Sequence, residues 1–277
     1  MTEGIAGMAE AGAGTTPAAG GAAEAAPFEV INPAGRAPVV LVCDHAGPRI
    51  PADLDALGLD RTILQRHIAW DIGALEVARR LSERFDAPLV ASNFSRLIID
   101  PNRHPDDPTS IPVISDGVVV PGNRGLAPAE RSRRAAQFFH PYHQAIDRVL
   151  QARADAGAVP ALVSVHSFTP VFRGFERPWH FGILWARDPR IALPLLRRLA
   201  AEDDLTVGDN QPYSGQDNFG YTVEVHASET GLPHLLVEVR QDLVDTRHGA
   251  REWADRLADA LEPCLEPAPG LYAVRHF

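Results

Sequence analysis

The sequence predicts an α/β fold in which a mixed central sheet is flanked by helices on both faces. Two patterns carry this expectation. Short β-branched apolar runs alternate along the chain with longer amphipathic runs. Strands separated by helices build mostly parallel or mixed sheets that are covered on both sides. Composition agrees, since 45% of the 277 residues are hydrophobic and 22 Gly and 24 Pro suit a loop-rich chain better than a helical bundle.

Residues 1 to 26 are almost all Ala, Gly, Glu, Thr and Pro. Such a stretch cannot bury enough apolar surface to fold, so it is expected to be a disordered tail. It lacks the basic residues and leucine-rich stretch of a signal peptide. A single domain is expected over residues 27 to 277.

Strand candidates are Pro38 to Cys43, Pro88 to Ala91, Leu97 to Asp100, Ala161 to His166, Phe181 to Trp185, Tyr221 to Val225 and His234 to Val239. Helices are expected between them. Asp71 to Phe85 sets Ile72, Leu75, Ala78, Leu81 and Phe85 at helical spacing. Ala129 to Ala156 is longer, with Pro141 expected to break or kink it. Pro189 to Ala200 opens with Pro in the first turn. Thr246 to Leu261 has Thr as an N-cap and Trp253, Leu257 and Leu261 on one face. Residues 101 to 128, rich in Pro, Asp, Asn and Gly, read as a long loop of the kind that is often functional in compact enzymes.

The net charge is -10 and no basic stripe is present, which argues against nucleic acid as a partner. No apolar run is long enough to span a bilayer. Two cysteines far apart, Cys43 and Cys264, make neither a disulfide framework nor a Cys-based zinc site, so a cytoplasmic chain is expected.

Chemistry is suggested by where polar residues interrupt apolar runs. His45 follows Val-Leu-Val-Cys-Asp, and His166 ends Leu-Val-Ser-Val. Glu238 and Arg240 lie near the end of Leu-Leu-Val-Glu-Val-Arg, where alternate residues share a face. Ligand sites of open α/β sheets lie beyond the carboxyl ends of the strands. Two His and one carboxylate with an open position is how hydrolytic zinc is held. Asp71, at a helix start just after Trp70, is the chosen third ligand; the alternative is that it caps that helix. Asp44 is its rival, but neighbours on a strand point to opposite faces. Glu238 reads as a general base, or else as an internal ion-pair partner of Arg240 or Arg96. His226 is the best additional histidine, as ligand or substrate contact, whereas His67, His140, His143 and His248 read as surface or structural.

A second cluster is Ser95-Arg96-Leu-Ile-Ile-Asp100-Pro-Asn102-Arg103. One arginine of such a cluster can clamp a carboxylate while another polarises a scissile carbonyl; the alternative is that these residues tie down the following loop. Ser167 lacks the Gly-x-Ser-x-Gly setting of a nucleophile elbow. Cys43 shares a strand face with His45, so a Cys-His pair stays open.

Five ordered motifs resemble the N-formylglutamate amidohydrolase family over about residues 28 to 265. They are Cys43-Asp-His-Ala-Gly-x-x-Ile-Pro51, His67-Ile-Ala-Trp-Asp-Ile-Gly73, Ser95-Arg-Leu-x-Ile-Asp-x-Asn-Arg103, Ser164-Val-His-Ser-Phe168 and Gly231-Leu-Pro-His-Leu-Leu-Val-Glu-Val-Arg-Gln-Asp242. The resemblance implies a zinc-exopeptidase-like (phosphorylase/hydrolase-like) mixed sheet, related to carboxypeptidases and aspartoacylases. It implies a Zn2+ ligand set of His45, His166 and Asp71, with Glu238 as base and Arg96 polarising the carbonyl. Asn102 and Arg103 would bind the substrate carboxylate. Apart from the resemblance, Arg240 and His226 are read from their own segments as further substrate contacts. The expected reaction is hydrolysis of an N-acyl acidic amino acid such as N-formylglutamate, as in histidine degradation. Two departures stand out. Carboxypeptidases carry a carboxylate ligand three residues after the first His, where this chain has Pro48. Many deformylases have Ser-Pro-His-Ser-Gly where this chain has Cys-Asp-His-Ala-Gly. The alternatives are a related zinc amidohydrolase or peptidase with another substrate, or a non-catalytic module that binds a carboxylated metabolite.

Overall fold

The apolar runs build one seven-stranded sheet: β1 (Phe28–Ile31), β2 (Val39–Cys43), β3 (Leu89–Ser92), β4 (Ala161–Phe168), β5 (Phe181–Leu184), β6 (Val207–Asp209) and β7 (His234–Arg240). The computed structural model describes residues 26–216 and 220–277, so the expected N-terminal tail lies, apart from Ala26, outside the described residues. In space the strand order is β1-β3-β2-β4-β7-β5-β6. β3, β2, β4 and β7 run parallel; β1 pairs antiparallel with β3, and β5 antiparallel with β7. The sheet is therefore mixed. Its central strands are buried throughout, apart from Arg240, which is what strands covered on both faces require.

Alternation along the strands sorts side chains into two cores. Leu41, Val163 and Val237 pack under the helices α1 (Ala74–Phe85), α4 (Ala192–Leu199) and α5 (Arg247–Leu265). Their neighbours Val40, Val42, Leu162 and Leu236 face the opposite side, against Tyr142 and Ile146 of α3 (His140–Asp155). Thr246 caps α5 by accepting from the Gly249 N–H. A third core, around Leu97, Ile98, Ile111 and Phe139, fills the space beneath the long segments between β3 and α3. No helix among the described residues is long and apolar enough to cross a membrane.

Three expectations are corrected. Residues 97 to 100 form no strand; the Ile98 N–H turns back to the Ser95 carbonyl, and the run is buried as a turn in the third core. Tyr221 to Val225 is not a strand either. It is helical over Tyr221–Val223 and π-helical over Glu224–Ser228. Val223 and Ala227, four apart, both enter the core beside α3, so packing overrides β propensity. The long helix is not broken at Pro141. α2 (Pro128–Arg134) runs through a π-helical turn, Ala135–Phe139, into α3. The His140 N–H reaches the Ala135 carbonyl, and Pro141 then sits in the first turn of α3, where it forfeits little. Local patterning also passed over the short edge strands β1 and β6 and the hairpin Ile114–Ser115 with Val118–Val119 inside the long loop.

Candidate active site

From β2 the chain passes through α1 to β3 on one side of the sheet, and later enters β4 on the other side of β2. The carboxyl ends of β2 and β4 thus flank a topological switch point, the place where open α/β sheets bind ligands. His45 lies in the turn two residues past the end of β2, and His166 lies near the end of β4. Glu238 of β7 is in register with His166, so the two side chains leave the same sheet face side by side.

Asp71 joins them from the loop before α1. Its N–H donates to the His45 carbonyl at 2.9 Å, and its side chain does not cap α1, whose N-cap is Gly73. Asp71 Oδ2 lies 2.8 Å from His166 Nδ1 and 3.3 Å from His45 Nδ1. His45, Asp71 and His166 are all buried, and one donor atom from each falls within 4.8 Å of the others, so the group can hold a metal ion. The outer ring nitrogens test the fit. His45 Nε2 donates to Asp100 Oδ1 at 2.7 Å, and His166 Nε2 donates to Asp44 Oδ2 at 2.9 Å. With the protons on Nε2, both Nδ1 lone pairs converge on a carboxylate oxygen. That convergence of two ring nitrogens and a carboxylate oxygen suits a metal cation.

Burial pulls the His45 pKa down to about 4, with the charge of Arg96 adding to it, which keeps the ring neutral. Burial acts the same way on His166, but the hydrogen bond and charge of Asp44 outweigh it and the net direction is up. Asp44 and Asp100 are buried, which alone would raise their pKa values; their histidine partners hold both well below the usual carboxylate range. Asp44 also accepts from Tyr142 Oη, Thr222 Oγ1 and Ser164 Oγ, so this buried carboxylate is fully satisfied.

Glu238 is the opposite case. Burial raises its pKa, and Oε2 is buried with no hydrogen-bond partner among the described residues. It faces a cleft of about 610 Å³ whose walls include His45, Asp71, His166, Arg96, Asn102 and Arg103. Arg96 Nη2 pairs with Asp71 Oδ1, and Arg96 Nε is buried without a hydrogen-bond partner among the described residues. Asn102 Oδ1 accepts from the Thr222 N–H at 3.0 Å. Arg103 donates from Nε to Asp100 at 3.2 Å and from Nη1 to Thr109 at 3.0 Å.

Two expected substrate contacts are not brought to this cleft. Arg240 is paired with Asp242 and donates to the Pro178 carbonyl, so its side chain is neither on the cleft wall nor paired with Glu238. His226 lies in the π-helical turn, bonded to His143 and Asp147 behind the cleft, because its segment is helical and not a strand. His67, read as structural, is on the cleft wall. Cys43 is fully buried, and burial together with the Asp44 charge pushes its thiol pKa far up, so it is no nucleophile. Asp44 and Asp100 were missed as partners of the imidazoles. Their sequence signal was their place inside the two polar clusters.

Residues 37–244 match the family model described as N-formylglutamate amidohydrolase. A crystal structure of a gene product from Agrobacterium tumefaciens is 38% identical with a TM-score of 0.84, over 87% of this chain and 95% of that one. The crystal structure of N-formylglutamate amidohydrolase from Ralstonia eutropha is 25% identical with a TM-score of 0.56, over 87% and 96%. A curated N-formylglutamate deformylase from Pseudomonas aeruginosa is 27% identical over 134 residues, which is 44% of this chain. The match spans about half, 49%, of that relative's length.

Proposed function

The chain belongs to the N-formylglutamate amidohydrolase family, and from that premise we propose that it hydrolyses the amide bond of an N-acyl acidic amino acid, N-formylglutamate or a close analogue, with zinc as cofactor. One observation carries the reading: the Nδ1 atoms of His45 and His166 converge on Asp71 beside Glu238, whose buried Oε2 has no hydrogen-bond partner among the described residues. Two imidazoles and a carboxylate favour zinc among the available divalent ions. Held by His45, His166 and Asp71, the ion supplies Lewis acidity toward water and toward a carbonyl oxygen.

The remaining work falls to side chains. Glu238 takes a proton from the attacking water, and its raised pKa makes it a better base than an exposed carboxylate. The water oxygen bonds to the acyl carbon, the C–N bond breaks, and Glu238 returns the proton to the leaving amine. For a formyl substrate the products are formate and the amino acid. Arg96, on the cleft wall, offers donors to the developing oxyanion. Asn102 and Arg103 offer donors to a substrate carboxylate. The free, buried thiols Cys43 and Cys264 fit a reducing compartment, and we place the reaction in the cytoplasm.

The test is amine release from a panel of N-formyl and N-acetyl amino acids, with metal content measured on protein purified without chelator. N-formylglutamate is expected among the best substrates, with activity removed by chelation and restored by zinc. Activity indifferent to chelation, in protein without stoichiometric metal, sinks the reading. Thermal stabilisation by glutamate-like ligands with no turnover of any panel member would favour a binding module instead.

A further inference from the structure

Beside the metal-ligand group the cleft has an aromatic wall, and behind that wall sits a buried cation. Arg177 follows the small hairpin Val171–Phe172 with Phe175–Glu176, just beyond β4, and is only 7% exposed. Its guanidinium carbon lies 4.7 Å from the ring centre of Phe172, 5.0 Å from that of Tyr213 and 6.0 Å from that of Phe168. Nη1 donates to Thr169 Oγ1 and Tyr213 Oη, both at a long 3.3 Å. Phe168, Thr169, Phe172 and Tyr213 all line the cleft that holds Glu238.

Among the described residues, two other arginines with shielded side chains are neutralised: Arg134 is paired with Glu130, and Arg190 with Asp188. No carboxylate among the described residues pairs with Arg177. A buried guanidinium held only by ring faces and neutral hydroxyls lacks the anion that normally repays its desolvation. Its charge does act across the cleft, on Glu238 and on His67. Arg177 itself does not line the cleft, but its two hydroxyl partners, Thr169 and Tyr213, do, and Tyr213 is half exposed, so a ligand meets the guanidinium at that hydroxyl edge.

An N-acyl acidic amino acid carries two carboxylates. Asn102 and Arg103 are placed for one, with Arg103 oriented by Asp100 and Thr109. The second carboxylate needs another donor set. We propose that Arg177, with the hydroxyl of Tyr213, receives the side-chain carboxylate of the substrate and so selects acidic over neutral N-acyl amino acids. The cation–π contacts with Phe172 and Tyr213 hold the planar fork in place without neutralising it. This inference rests on the function proposed above.

The experiment compares full-length, metal-loaded protein with Arg177→Met, Arg177→Lys and Tyr213→Phe. Steady-state kinetics are measured on N-formylglutamate and its neutral isostere N-formylglutamine. Arg177→Met is expected to lower the acidic-to-neutral ratio of kcat/KM at least tenfold, mainly through KM for the acidic substrate. Arg177→Lys should restore part of that ratio, and Tyr213→Phe should lower it less. An unchanged ratio, or an equal loss on both substrates, overturns the inference and reduces Arg177 to a clamp on the hairpin. Calorimetry with glutarate and butyrate supplies a readout that needs no turnover. Tighter binding of glutarate that vanishes in Arg177→Met upholds the receptor even if no N-formyl substrate is cleaved. Cleavage of N-formylglutamate with no dependence on Arg177→Met or Arg177→Lys leaves the proposed function standing and the receptor refuted.

Discussion

His166 Nε2 donates to Asp44 Oδ2 at 2.9 Å, and that bond determines which ring nitrogen faces Asp71. His45 is oriented in the same way by Asp100. Each carboxylate acts at one remove: it sets the tautomer and the ring plane, and it strengthens the nitrogen left as a donor to a cation. Asp44 and Asp100 would therefore tune the affinity of the His45, Asp71 and His166 group for a metal ion without touching the ion.

Asp44→Asn and Asp100→Asn are each expected to weaken zinc binding by roughly 10- to 100-fold on the proposed function. Competition with a chelating dye measures this directly. Unaltered affinity in both variants would show that the two carboxylates serve folding alone.

Glu238→Gln keeps the shape of the side chain and removes its basicity. Metal content should stay that of the parent protein, while turnover falls by about 10²- to 10⁴-fold. Metal analysis paired with initial rates separates the two effects, and a variant that turns over at the parent rate would remove Glu238 from the chemistry.

Gly73, two residues after Asp71, adopts φ 79, and a Cβ there would lie 2.2 Å from the Val244 carbonyl oxygen. Gly73→Ala combines left-handed backbone strain with a clash against backbone, a cost of about 2–4 kcal/mol. Urea unfolding measures it. Zinc affinity should drop too, because Asp71 is carried by the same turn.

Stability should also depend on acid pH through Glu130. Its hydrogen bond to Arg133, and then that to Arg134, lower its pKa to about 2, from an ordinary value near 4.5. A carboxyl depressed in the folded state stabilises fully above its unfolded pKa. That contribution is lost as pH falls from about 4.5 to about 2, since the unfolded chain takes up the proton first. With the side chain 28% exposed, the contribution is about 1–2 kcal/mol after allowance for screening. Denaturation at pH 7 and pH 3 should show a smaller acid loss in Glu130→Gln than in the parent, and equal losses would count against it.

Much of the framework is legible in one dimension. Apolar runs such as Val39–Cys43 and Leu235–Val237 announce doubly covered strands, and helical spacing announces α1 and α5. His45, His166 and Glu238 stand out against the same runs: His166 and Glu238 interrupt apolar strands near their ends, and His45 lies just past the end of one. Where a segment's state is set by its neighbours, local pattern misleads: Tyr221–Val223 looks like a strand and is helical because α3 needs a helix face there. The tertiary structure alone decided the rest. It brought Asp71 to the two histidines rather than to a helix cap, and it put Arg240 against Asp242 and His226 against Asp147. It also set Asp44 beside His166, 122 positions away, and put Arg177 among rings with no paired carboxylate among the described residues. Periodicity reports which face of an element a side chain leaves from. It holds no record of which distant segment meets that face, and hydrogen bonding and charge pairing act only once the fold has closed that distance.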